Sequence, residues 1–211
     1  MRKRIGKMKI VTFALLAALW VILGTGKVIA LPALDLHAGF ANAWTSLNGS
    51  SSDTMGHHCG WSLSADARWV IRLPLDGEAQ AASTTSVLIL PGMRGQFTAM
   101  AASNWLSDGS RYRAWSALGL GPELGIGLYM SNFILSHGQT FLVAAAVLGN
   151  VANYTQTSLY NAYISWLVEA CWELELAKGW ALSTAFPVEF ACRADGRSII
   201  ATVNLGVRYA F

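Results

Sequence analysis

The sequence predicts an all-β chain, an eight-stranded antiparallel up-and-down transmembrane β-barrel, and three observations lead there. The closing stretch alternates: Val203, Leu205, Val207, Tyr209 and Phe211 are apolar, with Thr202, Asn204, Gly206, Arg208 and Ala210 between them. Hydrophobic residues make up 54% of the chain and charged ones 13%, yet past residue 30 no apolar run reaches the roughly 18 residues of a helical span. High apolarity without long apolar runs is what a transmembrane sheet requires, since only alternate residues meet lipid. Finally, segments rich in Gly, Ser, Asp and Asn divide the chain into eight alternating runs, an even number as such barrels have.

The first element is not a strand. Arg2, Lys3, Arg4, Lys7 and Lys9 precede an apolar core from Ile10 to Leu23, and Val28-Ile29-Ala30 offers small residues for cleavage before Leu31. Residues 1–30 therefore read as a signal peptide and 31–211 as the barrel domain, with cleavage after Ala33 as the alternative. An uncleaved anchor is the rival reading, but the core falls short of the roughly 20 residues of a span and Gly24, Gly26 and Lys27 interrupt it. No cysteine precedes Cys59, which excludes a lipid-modified cysteine just after the signal. Removing residues 1–30 takes away six of the fifteen Lys and Arg and none of the Asp and Glu, leaving nine basic against twelve acidic groups, a formal −3. Without a basic stripe, a nucleic-acid partner is excluded.

The strands follow in order. Residues 35–47 carry Leu36, Ala38, Phe40 and Trp44 on one side. From Trp61 to Leu75 the odd positions are all apolar, while the even ones include Ser62, Asp66, Arg68 and Arg72. Residues 83–100 and 139–148 fit strands without fixing which face is out. Between them, 112–130 alternates on even positions, with Gly119, Gly121, Gly125 and Gly127 opposite. In 160–176 every even residue is apolar and the odd ones include Asn161, Ser165, Glu169, Glu173 and Glu175. A helix would place Glu169 and Glu173 together but spread Ile164, Val168 and Trp172 round the cylinder, so a strand is preferred. Residues 180–190 and 199–211 complete the set. Longer connections at 49–60, 103–110, 150–157 and 191–198 then alternate with shorter ones at 76–80, 136–138 and 177–179, the outer loops and periplasmic turns of a barrel.

A strand tilted by roughly 40° advances about 2.5 Å per residue along the membrane normal, which separates Tyr160 from Trp172 by about 30 Å, near the height of an apolar band with its aromatic girdles. The interface aromatics are Trp44, Trp61, Tyr160, Trp172, Trp180, Tyr209 and Phe211. Parity sends Asp66, Arg68, Arg72, Arg113, Glu169, Glu173, Glu189 and Arg208 into the lumen. An eight-stranded barrel is only just wide enough for its side chains, so these groups must pair, and a structural salt-bridge plug is preferred to a catalytic carboxylate pair.

Other motifs point less far. His57-His58-Cys59 lacks a second ligand cluster and adjacent residues point apart, so no metal site is assigned. Ser136-His137 hints at a hydrolase with a Glu third member, but it falls at a turn and no oxyanion hole is placed; no catalytic residue and no cofactor are assigned. The glycines of 119–127 lack the strand-turn-helix context of a phosphate cradle and make room for bulky lumen neighbours instead. Cys59 and Cys192 flank the first and last outer loops, which are expected to meet when the barrel closes. A disulfide between them is expected, with Cys171 free in the lumen.

The closing Asn204-Leu205-Gly206-Val207-Arg208-Tyr209-Ala210-Phe211 and the aromatic-flanked alternation resemble the small eight-stranded outer-membrane proteins, namely the OmpW type, the OmpX type and the transmembrane part of OmpA. Mature length, strands with Leu, Val and Ala on both faces, and the expected absence of a periplasmic domain after Phe211 favour the OmpW type. That resemblance implies residence in the bacterial outer membrane, contact with its lipid, and delivery to the barrel-assembly machinery through the C-terminal strand. It also implies passage of small, largely apolar molecules. The alternatives are a non-conducting surface barrel contacting host surface molecules or serving adhesion or envelope integrity, and a lipid A-modifying enzyme.

Overall fold

The computed structural model describes residues 30–47, 55–75, 84–134, 137–153, 164–192 and 196–211. Eight strands follow one another: β1 (Ala30–Leu47), β2 (Gly56–Pro74), β3 (Thr85–Met100), β4 (Trp115–Ile134), β5 (His137–Asn153), β6 (Ile164–Ala177), β7 (Trp180–Cys192) and β8 (Gly196–Ala210). Each pairs antiparallel with the next, and β8 pairs with β1 to close the barrel.

The register fixes the barrel's dimensions. Starting at Ala33 and stepping through partners, the path runs Arg68, Gly92, Glu123, Ala146, Leu167, Glu189 and Ile200 and returns to β1 at Ala43, ten residues from where it began. Eight strands with that stagger, about 4.8 Å apart and rising about 3.3 Å per residue, tilt by about 41° and enclose a backbone cylinder of about 8 Å radius.

Alternation decides which side chain faces which way. In β8, Leu205 is 68% exposed and Asn204 1%; the exposed residues of β1 to β8 include most of their large Leu, Val, Ile, Phe and Trp side chains, and the buried ones include Asp35, Asp66, Arg68, Arg94, Glu123, Glu169 and Glu173. A closed sheet that is greasy outside and polar inside is inverted relative to a soluble barrel, and it is the architecture of a small outer-membrane barrel. The interior is layered. Ala43, Met100, Trp115 and Ile200 pack together towards the four-loop end, and Leu88, Leu90, Leu142 and Cys171 pack towards the end where β1 starts and β8 stops. The charged residues Asp66, Arg68, Arg94, Glu123 and Glu169 lie between these apolar layers, and Arg72, Glu175 and Arg208 lie at the terminal mouth.

Local chemistry sets the ends. The β6–β7 connection is the two-residue turn Lys178-Gly179, and Gly179 holds φ at +82°, a left-handed conformation that costs glycine little. Strand β1 already begins at Ala30, and Ala30 to Ala33 pair with Ile71 to Arg68. Cleavage after Ala30 would spare those pairs except the first, whereas cleavage after Ala33 would remove them. Strand β4 starts at Trp115 rather than at residue 112, although the Ser103 amide donates to the Tyr112 carbonyl (3.0 Å) in the register of Met100 and Trp115.

Candidate functional site

The belt at mid-barrel is built by parity on six strands. Odd positions of β1 contribute Asp35 and His37, even positions of β2 contribute Asp66 and Arg68, β3 contributes Arg94, β4 Glu123, β6 Glu169 and β7 Ser183. Arg68 faces four carboxylates: Glu123 at 3.1 Å, Asp66 at 3.2 Å, Asp35 at 3.5 Å and Glu169 at 3.5 Å. Arg94 meets three of the same groups, Glu169 at 2.8 Å, Glu123 at 3.4 Å and Asp66 at 3.6 Å. Its Nε also donates to Gln96 Oε1 (3.3 Å), and Gln96 Nε2 donates to Glu189 (2.7 Å), which extends the network to β7. Arg208 pairs with Glu173 on the side nearer the termini. Asp35, Asp66, Arg94 and Glu169 are all 0% exposed. Four carboxylates thus surround two guanidiniums in a space closed to solvent, so removal of either cation would leave buried charge without compensation.

His37 continues the belt sideways. Its Nε2 is 2.8 Å from Ser183 Oγ, and its Nδ1 is 3.6 Å from Asp66 Oδ2. The ring reaches β7 by crossing Gly206 of β8, the register partner of both His37 and Ser183; a Cβ there would overlap His37 Cδ2. The order Ser-His-Asp matches a hydrolytic triad, but Ser183 is buried and Asp66 is already engaged by two guanidiniums. A nucleophile needs substrate access and oxyanion donors as well as a base. The chain of contacts orients His37 within the plug.

Of the residues assigned to the lumen from sequence, Asp66, Arg68, Glu169, Glu173, Glu189 and Arg208 face inward in or beside the belt. Arg72 also faces inward, but at the terminal mouth, where its Nε donates to Ser86 Oγ (3.0 Å) and its guanidinium lies 3.9 Å from the Tyr129 ring centroid. Arg113 is a correction: it lies in the β3–β4 loop, exposed, because β4 begins two residues later. Asp35, His37, Arg94 and Glu123 were missed. The parity that exposes Leu36, Phe40 and Leu124 turns Asp35, His37 and Glu123 inward, so that signal was available, whereas Arg94 lay in a segment whose faces both carry apolar residues.

The Cys59–Cys192 disulfide is a second correction, for all three cysteines are free. Cys59 is on β2 and Cys192 on β7, so β8 and β1 lie between them. Three strand spacings put the two about 14 Å apart, twice the roughly 7 Å a disulfide can span between Cα atoms. Cys171 is buried in the lumen. Tyr160 and Ser136 lie outside the described residues. Trp44 and Trp61 face outward towards the loop end, with Trp44 against His57 and Trp61 against Phe97, each pair 5.3 Å between centroids. Trp180, Tyr209 and Phe211 form a chain of rings at the terminal end, each neighbouring pair 4.8 Å apart, and Trp172 donates its indole N–H to Gln139 (3.2 Å). His57 sits beside Asn42 Oδ1 (3.1 Å) and His58 beside the Ala101 carbonyl (2.8 Å), on opposite faces of β2.

The β3–β4 loop is held against the outer end of β2. The Asn104 amide donates to the His57 carbonyl (3.0 Å), and the His57 amide donates to Asn104 Oδ1 (2.8 Å). At its tip the Ser110 hydroxyl and amide both donate to Asp108, and these bonds hold the Asp108 carboxyl below its ordinary range. Trp105 is 67% exposed, with the Arg111 guanidinium 5.0 Å from its ring centroid.

No protein-family profile matches the chain, and no curated protein does. Among solved structures it is similar to Ail, the attachment invasion locus protein of Yersinia pestis, in complex with the heparin analogue sucrose octasulfate. That match has 12% identity, covers 85% of this chain and 99% of the other, and has a TM-score of 0.33. It is also similar to the outer membrane protease OmpT from Escherichia coli, at 6% identity over 89% of this chain and 100% of the other, with a TM-score of 0.35. At such identities and scores no residue role, ligand or activity is carried over.

Proposed function

We propose that this chain is an integral protein of the bacterial outer membrane, exported by its N-terminal signal, that closes rather than opens a path through the bilayer. The observation that carries this reading is the belt: Arg94 meets Asp66 and Glu169, and Arg68 meets these two and Asp35, across the middle of the lumen, all of them buried. Passage of small apolar molecules, which the OmpW-type reading implies, would have to break buried ion pairs and move apolar layers on either side of them. In planar bilayers the purified barrel is expected to be electrically silent; discrete conductance steps would overturn the proposal. Its work is then done at the surface. The ordered β3–β4 loop presents Trp105 against Arg111, the kind of exposed aromatic-cation pair that anchors a contact. Replacing both by alanine is expected to reduce attachment of expressing cells to a host-cell layer severalfold without altering the amount of barrel in the membrane. Unchanged attachment removes adhesion and leaves envelope integrity as the role.

A further inference from the structure

A second site lies at the opposite end from the outer loops, where β1 begins and β8 ends. There the lumen opens into a half-enclosed cavity of about 490 Å3, within the range of roughly 300–1,000 Å3 typical of ligand sites. Its floor is the terminal-side apolar layer, reached through Val70 and Leu88. Its rim carries Arg72, Arg208 and Lys178 against one acidic side chain, Glu175. Two of these cations are held in place. Arg72 is fixed by Ser86 and by the Tyr129 ring, and Arg208 by Glu173, with Arg208 Nε buried and without a hydrogen-bond acceptor. Glu175 accepts the Tyr129 hydroxyl (3.2 Å), and with Glu173 on Arg208 the three cations face two side-chain carboxylates.

The wall does not stop at the lumen. It continues past the Lys178-Gly179 turn to Trp180, Tyr209 and Phe211, the ring chain on the bilayer side of β7 and β8. One cavity therefore joins a fixed cationic rim to the lipid-facing surface. A free anion would use the rim and leave the apolar wall wet, whereas a membrane amphiphile fills both. We infer that this cavity holds the headgroup of an anionic phospholipid from the periplasmic leaflet, its phosphate on Arg72, Arg208 and Lys178 and its chains along Trp180 and Phe211. The inference rests on the membrane reading above and adds a specific lipid class to it. It is separate from the belt, whose Asp66, Arg68, Arg94 and Glu169 are not in this wall.

The test is native mass spectrometry of the barrel purified from membranes and released from micelles containing equal phosphatidylglycerol and phosphatidylcholine. Wild type is expected to retain one phosphatidylglycerol in preference to phosphatidylcholine. Arg72→Gln with Lys178→Gln should lower that retention about tenfold, the loss of charge-assisted contacts worth one decade in affinity. Lys178→Gln alone, on the exposed turn, should lower it by a smaller factor and serves if the double variant folds poorly. Equal retention of both lipids, retention unchanged in either variant, or displacement by 10 mM inorganic phosphate overturns the inference. A barrel that fractionates without detergent as a soluble protein overturns the membrane reading, and the lipid site with it; a detergent-dependent barrel without lipid preference overturns only the latter.

Discussion

Arg94 touches Asp66, Glu123 and Glu169 at once, and the imbalance of acids over cations around it decides how substitutions in the belt read out. Arg94→Met removes half of the guanidinium charge from a buried cluster of four carboxylates and is expected to cost about 3–5 kcal/mol. Glu169→Gln keeps the shape of the side chain and reduces the surplus of negative charge, so its cost is expected to be no more than about 1 kcal/mol. Urea unfolding followed by tryptophan fluorescence in lipid vesicles measures both; equal losses would mean that the belt is balanced by something other than its two arginines. The same residues mark where sequence reading reached its limit. Glu169 and Glu173 were legible because every neighbour on the other parity is apolar. Arg94 was not, because β3 places Leu88 and Leu90 inward and Val87, Ile89 and Phe97 outward, so periodicity gives no contrast. Such a strand declares its inner face only through its partners, here Asp66 and Gly121 in register with Arg94.

At the scale of elements, the number, order and approximate ends of the strands were legible, since Gly, Asn, Asp and Ser punctuate alternating runs. The start that moved, from Tyr112 to Trp115, has no hydrogen-bonding reason, since the Ser103 amide reaches the Tyr112 carbonyl in the β3–β4 register. The cysteine pairing failed for a topological one. Strands β1 and β8 do become neighbours, but Cys59 and Cys192 stand on β2 and β7, with the β1–β8 seam between them. The seam has a better pair: Thr45 and Ser198 are in register, with their hydroxyl oxygens 3.0 Å apart. Thr45→Cys with Ser198→Cys is therefore expected to form a disulfide in exported protein and shift migration on a non-reducing gel, while the native cysteines remain reactive to maleimide on denaturation. Absence of the cross-link would mean that β8 does not close on β1 in this register.

For the whole molecule, eight strands with a stagger of ten leave a backbone cylinder of about 8 Å radius, and inward side chains take up most of that. This is the physical basis of the expected silence in planar bilayers: an aqueous pore needs either more strands or small inward residues at every level. Small residues do occur, at Gly119, Gly121 and Gly125 on the inner face of β4. The space they leave is taken by neighbours: a Cβ on Gly125 would come within 2.9 Å of Leu142 and 3.3 Å of Leu90. What the sequence could not reveal at this scale is the terminal cavity, because its walls come from strands distant in the chain and from both faces of the sheet.

The seam also orders assembly in time. Asp35 sits on β1 with Arg208 of β8 as one register partner and Asp66 of β2 as the other, and Glu173 finds its guanidinium on β8 as well. Until the eighth strand docks, the curled sheet has two raw edges and a row of acids facing water that must be kept wet. Dehydration of the interior is thus a terminal event in biogenesis, and a chain stalled at seven strands would remain hydrated along its axis.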